Sequence, residues 1–323
     1  MNLPAGFFIV RCLVRDTFRQ SLSGRTFWLI LGLSAVIILL CFSARVDGFT
    51  ARTPQGEIEQ YGSDGKPYTG MNPLSGRFSL LFGLVRFPQF RDGPAMVEFV
   101  EALLAKWGAG AIGLLLVLLW TSGFLPDFLR PDSASVLLAK PVPRWALLVG
   151  KYLGVLAFVA FQLTVFVLGT WLGLGVSTGY WSPGYLLTIP LVLVQFAVLY
   201  SFSLLIAVWV GNPILCVLGT VLLWSVCAAV NNGRNSLAAG DEKPGPLVGG
   251  LAEAGYWLLP KPVDLNFILD QGLQAGKHFA TNGPLHALNQ RRQFLPELSL
   301  LTSVLFVAGV LALAGRRFAR VDY

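Results

Sequence analysis

The chain has 323 residues, 54% of them hydrophobic and only 13% charged. Soluble domains carry about twice that share of charge, so a chain this apolar cannot cover itself with polar surface and takes the bilayer as its solvent. The formal net charge of +7 would suit nucleic-acid binding in a soluble protein. Here much of it flanks apolar runs, and it reads as membrane topology, with no nucleic-acid partner.

Residues 1–25 set Arg11, Arg15 and Arg19 four apart on one helical face, with Phe7, Val10, Leu13, Val14, Phe18 and Leu22 over much of the rest. The pattern predicts an amphipathic cytoplasmic helix lying in the membrane interface. A first span follows over residues 26–43; four arginines precede it and no clear small-residue exit follows, so it reads as uncleaved. An extracytoplasmic loop over 44–106 is rich in Gly, Pro and charge. Within it an apolar run from Phe78 to Phe87, interrupted by Gly83, has strand character, and Pro94 opens a helix through Glu98 and Glu101 to Lys106.

The second span covers 107–125 and a polar cytoplasmic segment covers 126–146. The third span covers 147–176, the fourth 185–210 and the fifth 214–230. Sharp turns are predicted at Gly179 to Gly184 and at Gly211-Asn212-Pro213. A second extracytoplasmic loop covers 231–297, the sixth span 298–315 and a basic cytoplasmic tail 316–323. None of the runs shows the alternation of membrane β-strands. The predicted fold class is therefore all-α integral membrane: six transmembrane helices, an N-terminal amphipathic interface helix and two larger extracytoplasmic loops.

These spans hold no ionisable residue in their central thirds, which argues against a proton-driven carrier or a voltage sensor. Gln162 and Gln195 are their notable polar groups. They serve either as interhelical hydrogen-bonding glue or as the lining of a substrate path. Gly150 and Gly154, and Gly169 and Gly173, have the four-residue spacing that lets helix backbones approach closely, within the chain or between subunits. With six spans both termini share one side. That side holds eleven Lys and Arg against four Asp and Glu, while the two long loops hold thirteen of each. The positive-inside tendency makes the basic side cytoplasmic. The expected location is the plasma membrane, multi-pass; the absence of any N-x-[ST] acceptor suits a bacterial inner membrane.

Several motifs fail on inspection. Gly175 to Gly179 satisfies G-x-S-x-G but sits at the end of an apolar helix, without the strand-turn-helix that chemistry needs. Gly65-Lys66 and Gly150-Lys151 lack the first glycine of a phosphate-binding loop. The two histidines, His278 and His286, and the four cysteines have no metal-ligand spacing. The chain is expected to be no enzyme, with no cofactor, catalytic residue or metal of its own.

The informative segment lies between the second and third spans. It predicts a short helix from Asp132 to Ala139, with Asp132 as N-cap and Ser133 near its start, closed by a proline turn. Val136, Leu137, Leu138, Lys140, Pro141, Val142 and Arg144 follow in order, then Gly150-Lys151 at the start of the third span. This resembles the permease subunits of type-2 ABC exporters, including the nitrous-oxide-reductase maturation permeases, which often show Leu-Leu-x-x-Pro-Val-x-Arg followed by Gly-Lys. The tail Arg316-Arg317-Phe318-Ala319-Arg320-Val321-Asp322 and the outer phrase Tyr256-Trp257-Leu258-Leu259-Pro260-Lys261 are similar to family phrases too. Pro131-Asp132-Ser133-Ala134 departs from the acidic residue and Gly-Thr pair that many members carry ahead of the leucines.

The resemblance implies a transporter subunit, an exporter, driven by a separate cytoplasmic ATPase that binds ATP and Mg. Asp132, Ser133, Val136, Leu137, Leu138, Lys140, Pro141 and Arg144 would form the coupling contact with it. Two permease copies, as a homodimer or with a similar partner as a heterodimer, would frame the path. The alternatives are a membrane assembly or structural factor of the cell envelope and a membrane-embedded enzyme using the outer loops.

Overall fold

A computed structural model describes residues 3–47, 49–52, 58–61, 76–89, 93–124, 144–240, 245–273, 284–292 and 294–320. Six helices among them are long and apolar enough to cross a membrane: Arg25–Phe42, Met96–Thr121, Trp145–Thr178, Pro183–Val210, Pro213–Ala239 and Pro296–Arg320. The chain is a multi-pass helical membrane protein. A helix satisfies its backbone donors and acceptors internally, which hydrocarbon demands.

Helix α1 (Leu3–Ser23) leads through Gly24 into α2 (Arg25–Phe42), the first span. Five short strands follow: β1 (Arg45–Asp47), β2 (Phe49–Arg52), β3 (Ile58–Tyr61), β4 (Gly76–Leu80) and β5 (Val85–Gln89). They form an antiparallel sheet in the order β1-β4-β5 and a separate β2-β3 hairpin, so the fold is helical with a small β appendage rather than purely helical. The run from Phe78 to Phe87 is the β4-β5 hairpin. Phe78 pairs with Phe87, and the turn holds Leu81 and Phe82 at positive φ before Gly83. The Ser43 hydroxyl accepts from the Leu81 N–H at 3.0 Å, tying the turn to the end of α2.

The second span is one continuous helix built of α3 (Gly93–Leu103), a π-helical segment (Leu104–Gly113) and α4 (Leu114–Thr121). It therefore starts well before residue 107 and carries Glu98, Glu101 and Lys106 on its outer half. Helix α5 (Arg144–Thr178) is the third span. A 3₁₀ turn (Pro183–Leu187) enters α6 (Thr188–Val210), and α7 (Pro213–Ala239) follows. Gly211 ends α6 at φ +68°, a conformation costly for residues with a Cβ, and Asn212 caps α7 by accepting from the Ile214 N–H at 2.9 Å. Three short helices, α8 (Pro246–Leu258), α9 (Pro262–Gly272) and α10 (Pro284–Gln290), precede the sixth span α11 (Pro296–Arg320).

Helix α5 is the axis of the bundle. Helix α2 runs parallel to it: Ser34 meets Gln162, and a Cβ on Gly169 or Gly173 would run into Ile38 or Cys41. The second span runs antiparallel between them, with Trp120 beside Phe158 at one end and Gly108 against Phe166 midway. Helix α6 also runs antiparallel to α5. Thr170 and Tyr185 hydroxyls are 2.9 Å apart, and further along the Tyr152 hydroxyl donates to the Ala197 carbonyl. Tyr152, Tyr200 and Phe196 stack at the centre of the main core. Helix α1 crosses the first half of α5, where Gly154 lets Thr17 and Val14 approach. Its buried stripe is Leu13, Thr17 and Ser21, and Arg11, Arg15 and Arg19 are exposed on the other side.

Candidate functional site

The segment predicted to dock an ATPase falls mostly on residues 125–143. Asp132, Ser133, Val136, Leu137, Leu138, Lys140 and Pro141 lie outside the described residues, and Arg144 is the first residue of α5. The ends that flank the segment are described. Lys151, 2% exposed, donates from Nζ to Gln20 Oε1 at 2.6 Å and sits 5.7 Å from the ring of Phe124. One lysine thus gathers α1, the end of the second span and the start of α5. The same end of the bundle takes the start of α2, with Arg25 exposed, and the end of α11. There Arg317 covers the Trp209 ring at 5.5 Å, and Arg316, Arg317 and Arg320 are exposed. A long apolar body and a charged head suit arginine to such a membrane edge.

The two glutamines face different cavities. Gln162, 4% exposed, donates from Nε2 to Ser34 Oγ at 3.2 Å, and the Ser34 hydroxyl passes its own proton to the Ile30 carbonyl at 2.9 Å. Its Oε1 is buried and accepts nothing. Gln162 stands on the wall of a chamber of about 280 Å³ between α2, the π-helical segment and α5. Gln195, 5% exposed on α6, lines a void of only about 10 Å³ with Trp224, Cys227 and Pro260. The structure does not bring them to a common path.

Two polar clusters at the opposite end of the bundle escaped the sequence reading. In the first, Asp264 at the start of α9 is fully buried. It accepts from the Tyr256 hydroxyl at 2.6 Å, from the Ser299 hydroxyl at 2.7 Å and from Asn235 Nδ2 at 3.4 Å. These bonds join α7, α8, α9 and α11. Lys261, also fully buried, has Nζ 4.0 Å from the ring centres of both Tyr256 and Trp257 and no hydrogen-bond partner. Burial pushes its pKa down to about 8, against the pull of Asp264. The Tyr256 hydroxyl is pushed up, by burial first and by Asp264 second. Outside this pair Arg234 stacks 4.3 Å from the Tyr256 ring and pairs with Glu253 at 3.1 Å; Trp257 Nε1 also donates to Glu253 at 2.8 Å. The Glu253 carboxyl is held below its ordinary value, chiefly by the Arg234 hydrogen bond.

In the second cluster Glu101, 1% exposed on α3, has neither oxygen hydrogen-bonded. One turn on, Lys106 Nζ pairs with Asp270 Oδ2 of α9 at 2.8 Å. Burial raises the Asp270 pKa and Lys106 lowers it. His286 of α10 stacks edge-on to Phe267 at 4.9 Å, and His278 lies outside the described residues. Among the described residues no group of three or more His, Cys, Asp or Glu is placed to hold a metal. The signal for the first cluster was Pro260-Lys261-Pro262 with Asp264 three residues after the lysine, a lysine bracketed by prolines and an acid in the first turn of the helix that follows.

No family model and no curated protein matches the chain.

Proposed function

We propose that the chain is the membrane subunit of an ABC transporter, an exporter, driven by a separate cytoplasmic ATPase that docks on residues 126–146. The observation that carries this reading is where that segment is tethered. It leaves the second span at Phe124, whose ring lies 5.7 Å from Lys151, and re-enters at Arg144, the first residue of α5 two turns before Lys151, at the end of the bundle ringed by exposed arginines. A helix pinned between two span ends can transmit a push to both. Helix α1, braced across α5 and basic on its free face, fits the membrane interface on that side. The resemblance in Leu137, Leu138, Pro141, Val142 and Arg144 supports an ATPase as the partner. The ATP and Mg belong to that partner, and a second permease, identical or similar, completes the assembly.

Affinity purification of the intact chain in mild detergent tests this. A nucleotide-binding ATPase should co-purify in stoichiometric amount. Arg144→Glu, which reverses a charge at the segment's end, and Val136→Pro, which breaks a helix there, should each release it while the six-helix body stays folded. If no ATPase accompanies the wild-type chain, the reading falls and an envelope assembly factor replaces it. If the ATPase survives both substitutions, the docking assignment is wrong.

A further inference from the structure

The chamber beside Gln162 has features that simple helix packing does not require. It lies at mid-membrane, because Ser34, Gln162 and Gly108 each stand near the middle of their own helix. Its volume of about 280 Å³ is roughly twice that of a ~150 Å³ apolar cavity able to hold benzene. Leu163 and Phe166 of α5 and Leu114 wall its inner side, all under 9% exposed. Leu33 and Ile112 line it too, yet are about half exposed on the bundle's outer surface, so the mouth opens sideways to lipid.

The π-helical segment forms one wall of the chamber. In a π-helix each N–H reaches back five residues, which widens the turn. A Cβ on Gly113 would lie 2.5 Å from the Gly108 carbonyl oxygen, and one on Gly110 would lie 3.0 Å from that of Ala105. Glycines at these positions admit the wide winding, and π-helical turns are enriched at functional sites.

The wall is apolar apart from Ser34 and Gln162. Ser34 spends its proton on its own helix and its lone pair on Gln162. Gln162 Oε1 is left as a buried acceptor without a donor, a group that costs free energy while unpaired. No charged side chain lines the space, so a phosphate, carboxylate or ammonium head is not accommodated.

We infer that this chamber is a lateral binding site for a neutral apolar chain bearing one hydrogen-bond donor, a long-chain or isoprenoid alcohol, whose hydroxyl is received by Gln162. The ligand enters from the membrane past Leu33 and Ile112, and a small shift of the amide presents Oε1 to it. The site does not depend on the ATPase reading.

The test uses the full chain in lipid nanodiscs, with a diazirine-bearing long-chain alcohol and the matching diazirine alkane as photolabels. The alcohol should mark residues 108–113 and 163–166 in preference to Leu39 and Leu218, which face lipid elsewhere. Gln162→Leu should cut the alcohol's labelling there about tenfold, the worth of one buried hydrogen bond, and leave the alkane's labelling unchanged. Leu163→Trp, which fills the chamber, should remove both. Thermal unfolding of each variant separates loss of ligand from loss of fold, and Gln162→Leu should unfold close to wild type because the lost bond to Ser34 is offset by removal of the unpaired Oε1. Equal labelling of the chamber by alcohol and alkane in wild type, or alcohol labelling indifferent to Gln162→Leu, overturns the assignment, as does labelling no stronger than at Leu39.

Discussion

Lys261 is buried among aromatic rings with no oxygen to hold, and its charge is stabilised by ring faces and by the field of Asp264. Ring quadrupoles recover part of the lost hydration, and the remainder appears as a pKa near 8 against an ordinary 10.5. Below pH 8 the lysine is charged in both folded and unfolded chains, and the folded chain bears the cost of burying that charge. Between about 8 and 10.5 the unfolded chain binds the extra proton, so stability rises with pH through that window. The unfolding midpoint in detergent should climb from pH 8 to 10, and Lys261→Met should flatten that part of the climb while raising the midpoint at pH 7. Differences between the two proteins at each pH cancel the contributions common to both. A Lys261→Met protein with the wild-type slope would mean that the lysine reaches water. Asp264 keeps its bonds to Tyr256, Ser299 and Asn235 in that variant, so the clamp itself survives. The charge pattern that makes this cluster was hard to read in sequence. Asn235, Asp264 and Ser299 are about thirty residues apart in turn, and only the packing of α7, α9 and α11 makes them neighbours.

Helix against helix, the decisive residues are glycines. Gly169 and Gly173 were legible as a close-approach stripe, and the structure spends that stripe inside the chain, on α2. A Cβ at Gly173 would meet Cys41 Cβ at 3.0 Å, the Phe42 N at 3.2 Å and the Ile38 O at 3.3 Å. Two of those three are backbone and cannot swing aside. Gly309 of α11 has nothing within 4 Å of the same position. Gly173→Ala should therefore destabilise the protein by about 1–3 kcal/mol, the usual cost of overpacking, whereas Gly309→Ala should gain up to about 1 kcal/mol from helix propensity. Denaturant titration of the two variants side by side measures the contrast, and equal effects would show that α2 does not seat on α5 at this depth. The same logic explains what was not legible. Hydropathy falls at Lys106, so the second span reads as starting after it; the structure satisfies that charge with Asp270 and carries the helix on from Gly93. Nor does a hydrophobic period betray the π-helical segment, because ten residues rich in Gly and Ala bear too few large side chains to mark a face.

Across the whole molecule, the number of spans was legible because length and apolarity decide it. The sidedness is a proposal that rests on charge. Helices α2 and α5 run parallel with the second span antiparallel between them, so Phe124 and Arg144, which flank residues 125–143 in sequence, lie at the opposite end of the bundle from the sheet of β1, β4 and β5. The arginines of α1, α2 and α11 join the former end. Translocating that end would carry eleven basic residues across the membrane, against the bias that fixes topology. Native thiols allow a clean test. Cys41, Cys216 and Cys227 are buried and Cys12 is exposed, so a Cys12→Ser chain should be nearly silent to an impermeant maleimide. On that background Phe82→Cys, at a hairpin turn 77% exposed, should label in intact cells, and Ser135→Cys should label only after the membrane is opened. The reverse pattern would invert the molecule. It would also remove residues 126–146 from the compartment that holds ATP, and with it the motor on which the transporter reading depends, while the chamber beside Gln162, reached from the lipid at mid-membrane, would be unaffected.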